Sequence, residues 1–290
     1  MNRLTGKMSS MDEVIRYIRE TPEIASNITH WHTIPAREAR YADFPPQMHA
    51  KLQDALRAKG IDRLYSHQAL TFEHAMRGRH TVTVTPTASG KTLCYNLPVL
   101  QAILEDPGSR ALYMFPTKAL SQDQVMELQE TIDRMDVDIK THTYDGDTPP
   151  TVRQVIRNAG HIVVTNPDML HSAILPHHTK WVKLFENLKY VVIDEVHAYR
   201  GVFGSHVANV IRRLKRICRF YGSRPQFLLA SATIANPKEH AERLIGEEMV
   251  LIDQNGAPSG EKHIIFYNPP VVNQQLGIRR SSVLETQRLA

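Results

Sequence analysis

A lysine and a hydroxyl residue stand directly after a glycine turn in the stretch TVTVTPTASGKTLCYNLP, residues 81–98. The stretch begins as a β-branched strand, turns at Ser89 and Gly90, and continues with the apolar spacing of a helix. Backbone N–H groups at such a turn and helix start face a bound anion. We therefore predict a phosphate-binding loop in which Lys91 contacts the β- and γ-phosphates of a nucleotide and Thr92 binds Mg²⁺.

Two adjacent carboxylates follow a second apolar strand, in YVVIDEVH from residue 190. Asp194 and Glu195 come directly after the apolar run, so they belong at the carboxyl end of that strand. We expect Asp194 to hold Mg²⁺ and Glu195 to orient and deprotonate an attacking water. The alternatives are a solvated strand end and, for the loop, a Ser-Gly turn beside a surface lysine. The two features together favour ATP chemistry.

Short β-branched runs alternate with longer amphipathic segments from about residue 80 onward. The runs predicted as strands are TVTVT from 81, ALYMF from 111, HIVVT from 161, YVVID from 190 and QFLLA from 226. The segments between them carry apolar residues at the spacing of core-facing helices. This alternation predicts one α/β domain: a doubly wound, mainly parallel sheet with helices on both faces and ligands at the carboxyl ends of its strands.

The two ends of the chain differ from this pattern. Two amphipathic stretches, joined by the irregular segment NITHWHTIPAREARYADFP, predict a helical N-terminal extension packed on the core, over residues 1–62. HIIFYNPP predicts a strand, and RRSSVLETQRLA predicts the beginning of a helix. We therefore place the α/β domain at residues 63–268, and a linker with the start of a further domain at residues 269–290.

Composition limits the classes of protein. The 290-residue chain is 42% hydrophobic and 22% charged, as ordinary globular domains are. No apolar run approaches the roughly 20 residues of a membrane helix, and the N-terminus lacks a secretory signal, so we expect a cytoplasmic protein without membrane contact. The net charge of +5 favours polyanionic partners. Cys94 and Cys218 lack the C-x-x-C spacing of a zinc site.

The phosphate loop and the acidic pair resemble motifs I and II of the superfamily 2 helicases of the DEAD/DEAH-box type, here in a DEVH form. SAT, residues 231–233, resembles motif III, and the motifs follow in the family's order. The resemblance implies a RecA-like fold, the first motor domain of such a helicase. HAYRGVFGSHVANVIRRL and YDGDTP are similar to the mitomycin-repair-factor type of bacterial DNA helicases and their fungal RecQ-related relatives.

The resemblance implies an ATP site with Mg²⁺. Gln68 in LYSHQ is similar to the glutamine with which the family reads the adenine edge, so it implies ATP rather than GTP. The implied catalytic residues are Lys91, Asp194 and Glu195, and the implied metal ligands are Thr92 and Asp194. The residues implied to bind ATP are Gln68, Thr85, Pro86, Thr87, Ala88, Ser89, Gly90, Lys91 and Thr92.

Three further loops resemble those with which the family holds one strand of nucleic acid: FPTKALSQDQ, YDGDTP and TNPDML. These loops contain groups that can bind phosphates and sugars: hydroxyls, a lysine and backbone amides at helix starts. Each loop alone also fits an ordinary helix start. The implied contacts are Pro116, Thr117, Lys118, Gln122, Asp145, Gly146, Thr148, Thr165, Asn166 and Pro167. The resemblance also implies that His197, Ser231 and Thr233 couple the nucleotide site to motif III.

A basic cluster lies in the helix predicted after motif II. Its members are Arg212, Arg213, Lys215, Arg216 and Arg219. DNA contact is one interpretation. A solvated face, favourable charge near a helix C-terminus and long side chains that cover apolar surface are the others, and we favour these.

The resemblance implies an ATP-dependent helicase or translocase, which moves along single-stranded nucleic acid, DNA favoured over RNA, in DNA repair. After residue 233 the sequence contains no motifs IV to VI, no arginine finger and no zinc cysteines. We therefore expect a lobe that needs a second RecA-like lobe, in cis or in trans, and that alone is weakly active or inactive. The alternatives are a non-catalytic nucleic-acid or partner-binding module, an RNA helicase, and a P-loop kinase or transporter ATPase.

Overall fold

The computed structural model describes residues 10–289. Their contacts divide the chain into two compact units. The first unit ends at Glu38 and resumes at Ser259, and the second comprises Ala39–Pro258. The domain limits predicted at residues 62 and 268 stay a prediction.

The helices are numbered in chain order. They are α1 Met11–Glu20, α2 Pro22–Ala25, α3 Ala50–Ala58, α4 Ser66–Met76, α5 Lys91–Glu105, α6 Lys118–Met135, α7 Pro150–Ala159, α8 Pro167–Met169, α9 Val182–Glu186, α10 Gly201–Phe220, α11 Pro237–Ile245 and α12 Ser282–Leu289. Turns of π- and 3₁₀-helix lie at Leu170–Ile174, Leu175–Lys180 and Val196–Ala198. Within residues 10–289, none of the helices combines the length and the apolar character needed to cross a membrane.

The strands are numbered in the same way. They are β1 Ile28–Ile34, β2 Tyr41–Ala42, β3 Leu64–Tyr65, β4 Thr81–Val84, β5 Arg110–Met114, β6 Thr141–Thr143, β7 Ile162–Thr165, β8 Leu188–Ile193, β9 Gln226–Ser231, β10 Val250–Ile252, β11 Lys262–Tyr267, β12 Val271–Asn273 and β13 Ile278–Arg279.

A 7-stranded sheet lies at the centre of the second unit, in the order β10-β4-β9-β8-β5-β7-β6. All of its strand pairs are parallel. Strands β4, β5, β7, β8 and β9 lie where the sequence predicts them, and the predicted RecA-like α/β fold is confirmed. The edge strands β6 and β10 were not predicted, because three residues each are too few to show a period.

Alternation along each central strand directs side chains into two apolar cores, one on each face of the sheet. On β8, Val191 and Ile193 pack into one core, while Tyr190 and Val192 pack into the other. Helices α10 and α11 complete the first core, and α3, α4, α5 and α6 complete the second. Each fully buried side chain of this kind contributes about 1.5–3 kcal/mol. Because both faces are covered, the central strands β5, β7, β8 and β9 are mainly apolar.

The parallel registers bring the ends of the central strands to one edge. Val84 pairs with Ser231 across β4 and β9, and Ile193 pairs with Leu229 across β8 and β9. The loops that follow β4, β8 and β9 therefore begin side by side. These loops contain the three motifs predicted to act on the nucleotide.

In the first unit, β1 pairs antiparallel with β11, from Ile28 opposite Tyr267 to Ile34 opposite Lys262. The strand predicted from HIIFYNPP is β11. For the segment that forms β1, the sequence predicts only irregular chain between helices. The strand was missed because its partner lies near the other end of the chain, and no local sequence pattern indicates such a pairing.

Candidate active site and nucleic-acid interface

Left-handed backbone shapes the phosphate loop between β4 and α5. Ala88 and Gly90 have φ values of 60° and 73°. The left-handed angle favours glycine at position 90, and a Cβ added there would lie 2.6 Å from Gln68 Nε2 and displace that amide. Ala88 holds its left-handed angle at a cost of roughly 1–2 kcal/mol. Thr85 Oγ1 and Ser89 Oγ, 2.6 Å apart, close the loop.

The Lys91 ammonium lies over this loop. It donates hydrogen bonds to the carbonyl oxygens of Thr85 and Pro86, at 2.8 and 2.9 Å. Burial lowers the pKa of Lys91, and the neighbouring carboxylates of Asp194 and Glu195 act in the opposite direction. The structure therefore brings the lysine and the acidic pair, far apart in the sequence, to one place. A magnesium-bound triphosphate requires this combination of charges.

Asp194 is buried at the end of β8. Its Oδ1 accepts the backbone N–H of Glu195 at 2.7 Å, and its Oδ2 accepts the hydroxyl of Tyr95 at 3.0 Å. Burial raises the pKa of Asp194 to about 6; the charge of Glu195 adds to this effect, whereas the two hydrogen bonds and Lys91 oppose it. A bound cation would stabilise the ionised form of such a carboxylate.

Two residues outside the predicted set contact the side chains that are predicted to bind Mg²⁺. The Thr92 hydroxyl donates to Gln124 Oε1 at 2.9 Å, and the Tyr95 hydroxyl lies 3.1 Å from the same oxygen. Burial raises the pKa of Tyr95 well above its usual value, so this phenol keeps its proton. Gln124 thus connects α6 with Thr92, and Tyr95 connects α5 with Asp194. The sequence contains no signal for either role, because both depend on contacts between distant segments.

The oxygen donors at this site suit Mg²⁺. Thr92 provides a hydroxyl and Asp194 a carboxylate, and both belong to the hydrogen-bond network around Tyr95 and Gln124. Among residues 10–289, no group of three or more His, Cys, Asp or Glu residues could hold a metal ion. Such a sparse donor set fits Mg²⁺, which proteins hold through one or two carboxylates together with substrate phosphates.

Gln68 packs against the phosphate loop. Its Oε1 accepts the backbone N–H of Tyr65, and its Nε2 donates to the Gly90 carbonyl, both at 2.9 Å. The amide retains one further N–H and one lone pair for another partner. A pocket of 540 Å³ lies beside it, lined in part by Tyr41, Tyr65, Gln68 and Gly90. Adenine recognition by Gln68 stays a prediction, and this pocket is where the base would lie.

His67 is another residue of the site that the sequence did not indicate. Its Nδ1 accepts the backbone N–H of Gly256 at 3.1 Å, so Nε2 carries the ring proton and donates to the Ser89 carbonyl at 3.0 Å. Burial lowers the pKa of His67 to about 4, in agreement with this neutral form. His67 therefore fastens the phosphate loop to the segment that follows β10.

His197, the last residue of motif II, contacts motif III. Its Nδ1 is 3.1 Å from Glu195 Oε2 and 3.3 Å from the backbone nitrogen of Ala232. The Ser231 hydroxyl lies 3.5 Å from the same nitrogen, and Thr233 follows on the exposed loop. A hydrogen bond from His197 to the Glu195 carboxylate requires a proton on Nδ1. A hydrogen bond from the Ala232 N–H to His197 requires a free lone pair on the same nitrogen. The two partners therefore compete for one nitrogen, and the coupling role of His197 stays a prediction.

The loops after β5 and β6 meet at an ion-pair cluster. Lys118, at the start of α6, pairs with Asp145 at 3.3 Å and with Asp147. Thr148 Oγ1 accepts the backbone N–H of Asp145 at 2.9 Å. The structure thus brings the FPTKALSQDQ and YDGDTP loops together. Asp147, which was not predicted as a site residue, is the second acidic partner of Lys118.

The other predicted nucleic-acid contacts differ in exposure. Thr117 and Asn166 cap the first turns of α6 and α8. Thr165 is buried, and its hydroxyl donates to the Tyr144 carbonyl at 2.8 Å, which fastens β7 to the loop after β6. Pro167 is also buried. The exposed members of the set are Thr117, Lys118, Gln122 and Gly146, and the partly exposed members are Pro116, Asp145, Thr148 and Asn166.

A phosphate loop, an acidic strand end and a parallel sheet that presents both at its carboxyl edge define a RecA-like nucleotide-binding domain. Residues 65–240 match the DEAD/DEAH box helicase family. The chain belongs to that family, and the prediction of a RecA-like lobe of the mitomycin-repair-factor (MrfA) type is confirmed.

The chain spans less than two fifths of the length of the relatives described here. It is 62% identical over 284 residues to the ATP-dependent helicase YprA of Bacillus subtilis, covering 98% of this chain and 37% of YprA. It is 40% identical over 277 residues to the ATP-dependent helicase hrq1 of Schizosaccharomyces pombe, covering 93% and 26%. The crystal structure of the DUF1998 helicase MrfA bound to DNA and AMPPNP has a TM-score of 0.92 at 62% identity, over 97% of this chain and 38% of MrfA.

Proposed function

We propose that this chain is the ATP-binding motor lobe of an ATP-dependent DNA helicase or translocase, which couples ATP hydrolysis to movement along single-stranded nucleic acid in DNA repair. The observation that carries the proposal is the proximity of Lys91 to Asp194 and Glu195 at the carboxyl edge of the sheet. The helicase names of YprA and hrq1, and the DNA and AMPPNP bound to MrfA, support it.

In the proposed reaction, Lys91 neutralises charge on the β- and γ-phosphates. Thr92 and Asp194 would hold Mg²⁺, which would supply Lewis-acid stabilisation of the phosphate oxygens. Glu195 orients a water in line with the γ-phosphorus and takes its proton, while the new P–O bond forms and the bond to the β–γ bridging oxygen breaks. His197 contacts Glu195, so it is placed to relay the state of this carboxylate to motif III.

A second RecA-like lobe, in cis or in trans, completes the motor in this proposal. An arginine finger supplied by such a partner contributes about 10³–10⁵ in rate in related phosphoryl-transfer enzymes. We therefore expect the 290 residues alone to bind MgATP, to hydrolyse it weakly and to unwind nothing. Efficient strand separation by these residues alone would contradict the proposal.

The test compares wild-type protein, assayed with a second lobe, with the variants Lys91→Ala and Glu195→Gln. Both variants should lose DNA-stimulated ATP turnover and unwinding. Glu195→Gln should still bind ATP, which distinguishes lost chemistry from lost folding. If both variants keep turnover, the motor proposal fails. If nucleic-acid or partner binding is the only activity found, and both variants keep it, the non-catalytic module is the better description.

We also propose that DNA is preferred to RNA and that the protein acts in the cytoplasm. Similarity to a DNA-bound helicase supports the first part. Competition between oligothymidylate and oligouridylate of equal length tests it. Preferential displacement by oligouridylate would favour the RNA helicase instead.

A further inference from the structure

A groove along the exposed side of α10 lies outside the nucleotide site. It has a volume of 930 Å³. Its walls come from α10, from the segment that contains Pro167, Asp168 and His171, and from the end of α11 at Ile245 and Gly246. The side chains of α10 that line it include Phe203, Arg212, Arg213, Arg216 and Arg219.

The charge on α10 is of one sign. The 20 residues of the helix contain Arg212, Arg213, Lys215, Arg216 and Arg219 and no aspartate or glutamate. Lys215 pairs with Glu247, whereas Arg216 and Arg219 form no ion pair within residues 10–289. Arg212 donates to Asn209 Oδ1 at 2.8 Å, which leaves its positive charge uncompensated.

Structural roles do not account for all of these side chains. A helix C-terminus favours cations within its last turn, which includes Arg219 but neither Arg212 nor Arg216. Long stems cover apolar surface where the side chain is partly buried, yet Arg212 and Arg216 are exposed. These two arginines are four residues apart on one face, where like charges destabilise a helix by about 0.2–0.5 kcal/mol. A polyanion bound along this face would relieve the repulsion.

The groove also offers aromatic surface and adjoins a predicted nucleic-acid loop. Phe203 is 43% exposed in the groove, and Phe220 is 77% exposed at the end of α10. Pro167 belongs to the TNPDML loop and also lines the groove. Proteins that bind single strands without sequence preference combine a basic groove with exposed aromatic rings in this way.

We propose that the α10 groove binds the phosphodiester backbone of single-stranded nucleic acid and extends the path that begins at the TNPDML loop. Arg212 and Arg216 contact phosphates, and Phe203 is available to a base. This inference rests on the proposed function, because it requires a strand in the neighbouring loops. The charges alone would also suit an acidic protein segment, but the continuity with Pro167 favours nucleic acid.

The test is the salt dependence of oligothymidylate binding to the 290-residue chain, followed by fluorescence anisotropy. Each phosphate contact to a single strand contributes about 0.7 to the slope of log Kd against log salt. The double variant Arg212→Ala/Arg216→Ala should therefore lower the slope by about 1.4. Arg212→Lys/Arg216→Lys keeps both charges and should keep the slope.

A matched control removes the same charge elsewhere. Arg57→Ala/Arg77→Ala changes two exposed arginines, on α3 and directly after α4, and should keep the wild-type slope. All of the substituted side chains are exposed, so circular dichroism and the melting temperature should stay at wild-type values.

Oligonucleotide length separates the two proposals. A short oligothymidylate that fills only the loops should bind wild type and groove variant alike, whereas a longer one should bind the groove variant more weakly. If wild type binds neither, the proposed function and this inference both fail. If wild type binds the longer strand and Arg212→Ala/Arg216→Ala keeps the wild-type slope, only this inference fails, and an acidic protein segment becomes the better occupant.

Discussion

The hydroxyl of Tyr95 donates a hydrogen bond to Oδ2 of Asp194 over 3.0 Å. Tyr95 belongs to α5, the helix that begins at Lys91, and Asp194 follows β8, so this bond joins the two halves of the nucleotide site. The same hydroxyl lies 3.1 Å from Gln124 Oε1 on α6. One phenolic proton serves one strong acceptor at a time. The ionisation of Asp194 and the position of α6 are therefore connected through Tyr95.

Tyr95→Phe should weaken Mg²⁺-dependent ATP binding. The variant keeps the ring that packs edge-on against Tyr113 at 5.7 Å, but it removes the donor to Asp194. A lost hydrogen bond to a buried charged group costs about 1.5–3 kcal/mol, so we expect affinity to fall by about tenfold or more. Titration with a fluorescent ATP analogue at several Mg²⁺ concentrations measures the loss.

Tyr113→Phe is the matched control for this experiment. Its hydroxyl is also buried and donates to Asn96 Oδ1 at 2.9 Å, whereas that of Tyr95 donates to Asp194. The control should retain wild-type affinity for the analogue. Equal losses in the two variants would show that Tyr95 serves only general packing.

His67 should make the free energy of unfolding depend on pH. Burial lowers its pKa from 6.5 to about 4, so between these values the unfolded chain binds a proton that the folded chain does not. Stability therefore rises with pH across this range and is lost as the pH falls, by about 2 kcal/mol between pH 8 and pH 5. His67→Gln should remove this contribution, as measured by urea unfolding at both pH values.

The exposed His177 provides the comparison for His67. His177→Gln should leave the difference between pH 8 and pH 5 as it is in wild type. If His67→Gln also leaves that difference unchanged, the pKa of His67 is not lowered. The hydrogen bonds of a neutral His67 to Ser89 and Gly256 would then be contradicted.

Asp147→Asn should strengthen the binding of single-stranded nucleic acid. Asp147 is 84% exposed and pairs with Lys118, so a phosphate that contacts this lysine competes with the carboxylate. Exposed ion pairs are weak, so removal of the Asp147 charge should raise affinity for oligothymidylate only modestly, by about fivefold at most at low salt. Glu130→Gln removes another exposed acid, the partner of Lys59, and controls for net charge. An equal gain in both variants would show that the effect comes from net charge and that Lys118 does not contact the nucleic acid.

Gly90→Ala should weaken ATP binding, because the added Cβ displaces the Gln68 amide from the Gly90 carbonyl. The φ of Gly90 is 73°, and a Cβ there would lie 2.6 Å from Gln68 Nε2. Gly60→Ala is the control, because Gly60 has a similar φ of 77° but no atom within 4 Å of the added Cβ. Both variants carry backbone strain of roughly 1–2 kcal/mol, and only the first displaces Gln68. Equal ATP affinity in the two would contradict the contact between Gln68 and the loop.

Local signals made part of the fold and of the site predictable. The β-branched strand, the glycine turn and the helix around Lys91 lie within a few residues of one another, and so do the apolar run and the carboxylates of Asp194 and Glu195. The parallel sheet followed from alternating strand and helix periods. Such features depend on the residue's immediate neighbours, which a sequence displays directly.

Contacts between distant segments were not predictable. Tyr95 is one more apolar position of a helix in the sequence, and only folding brings its hydroxyl to Asp194. Gln124 and His67 likewise gain their roles from partners on other elements. The short THT edge strand β6 shows no period, and β1 finds its partner β11 near the far end of the chain. Three-dimensional proximity, which no local pattern encodes, decides all of these cases.

The central claim is that Lys91 and Asp194 bind one Mg²⁺–ATP, and the most direct test is the affinity for a fluorescent ATP analogue with and without Mg²⁺. Wild type should bind more tightly with Mg²⁺. Asp194→Asn should lose that gain while remaining folded, and Lys91→Ala should bind about tenfold more weakly or worse. Wild-type affinity in Lys91→Ala, or an undiminished Mg²⁺ effect in Asp194→Asn, would contradict the account.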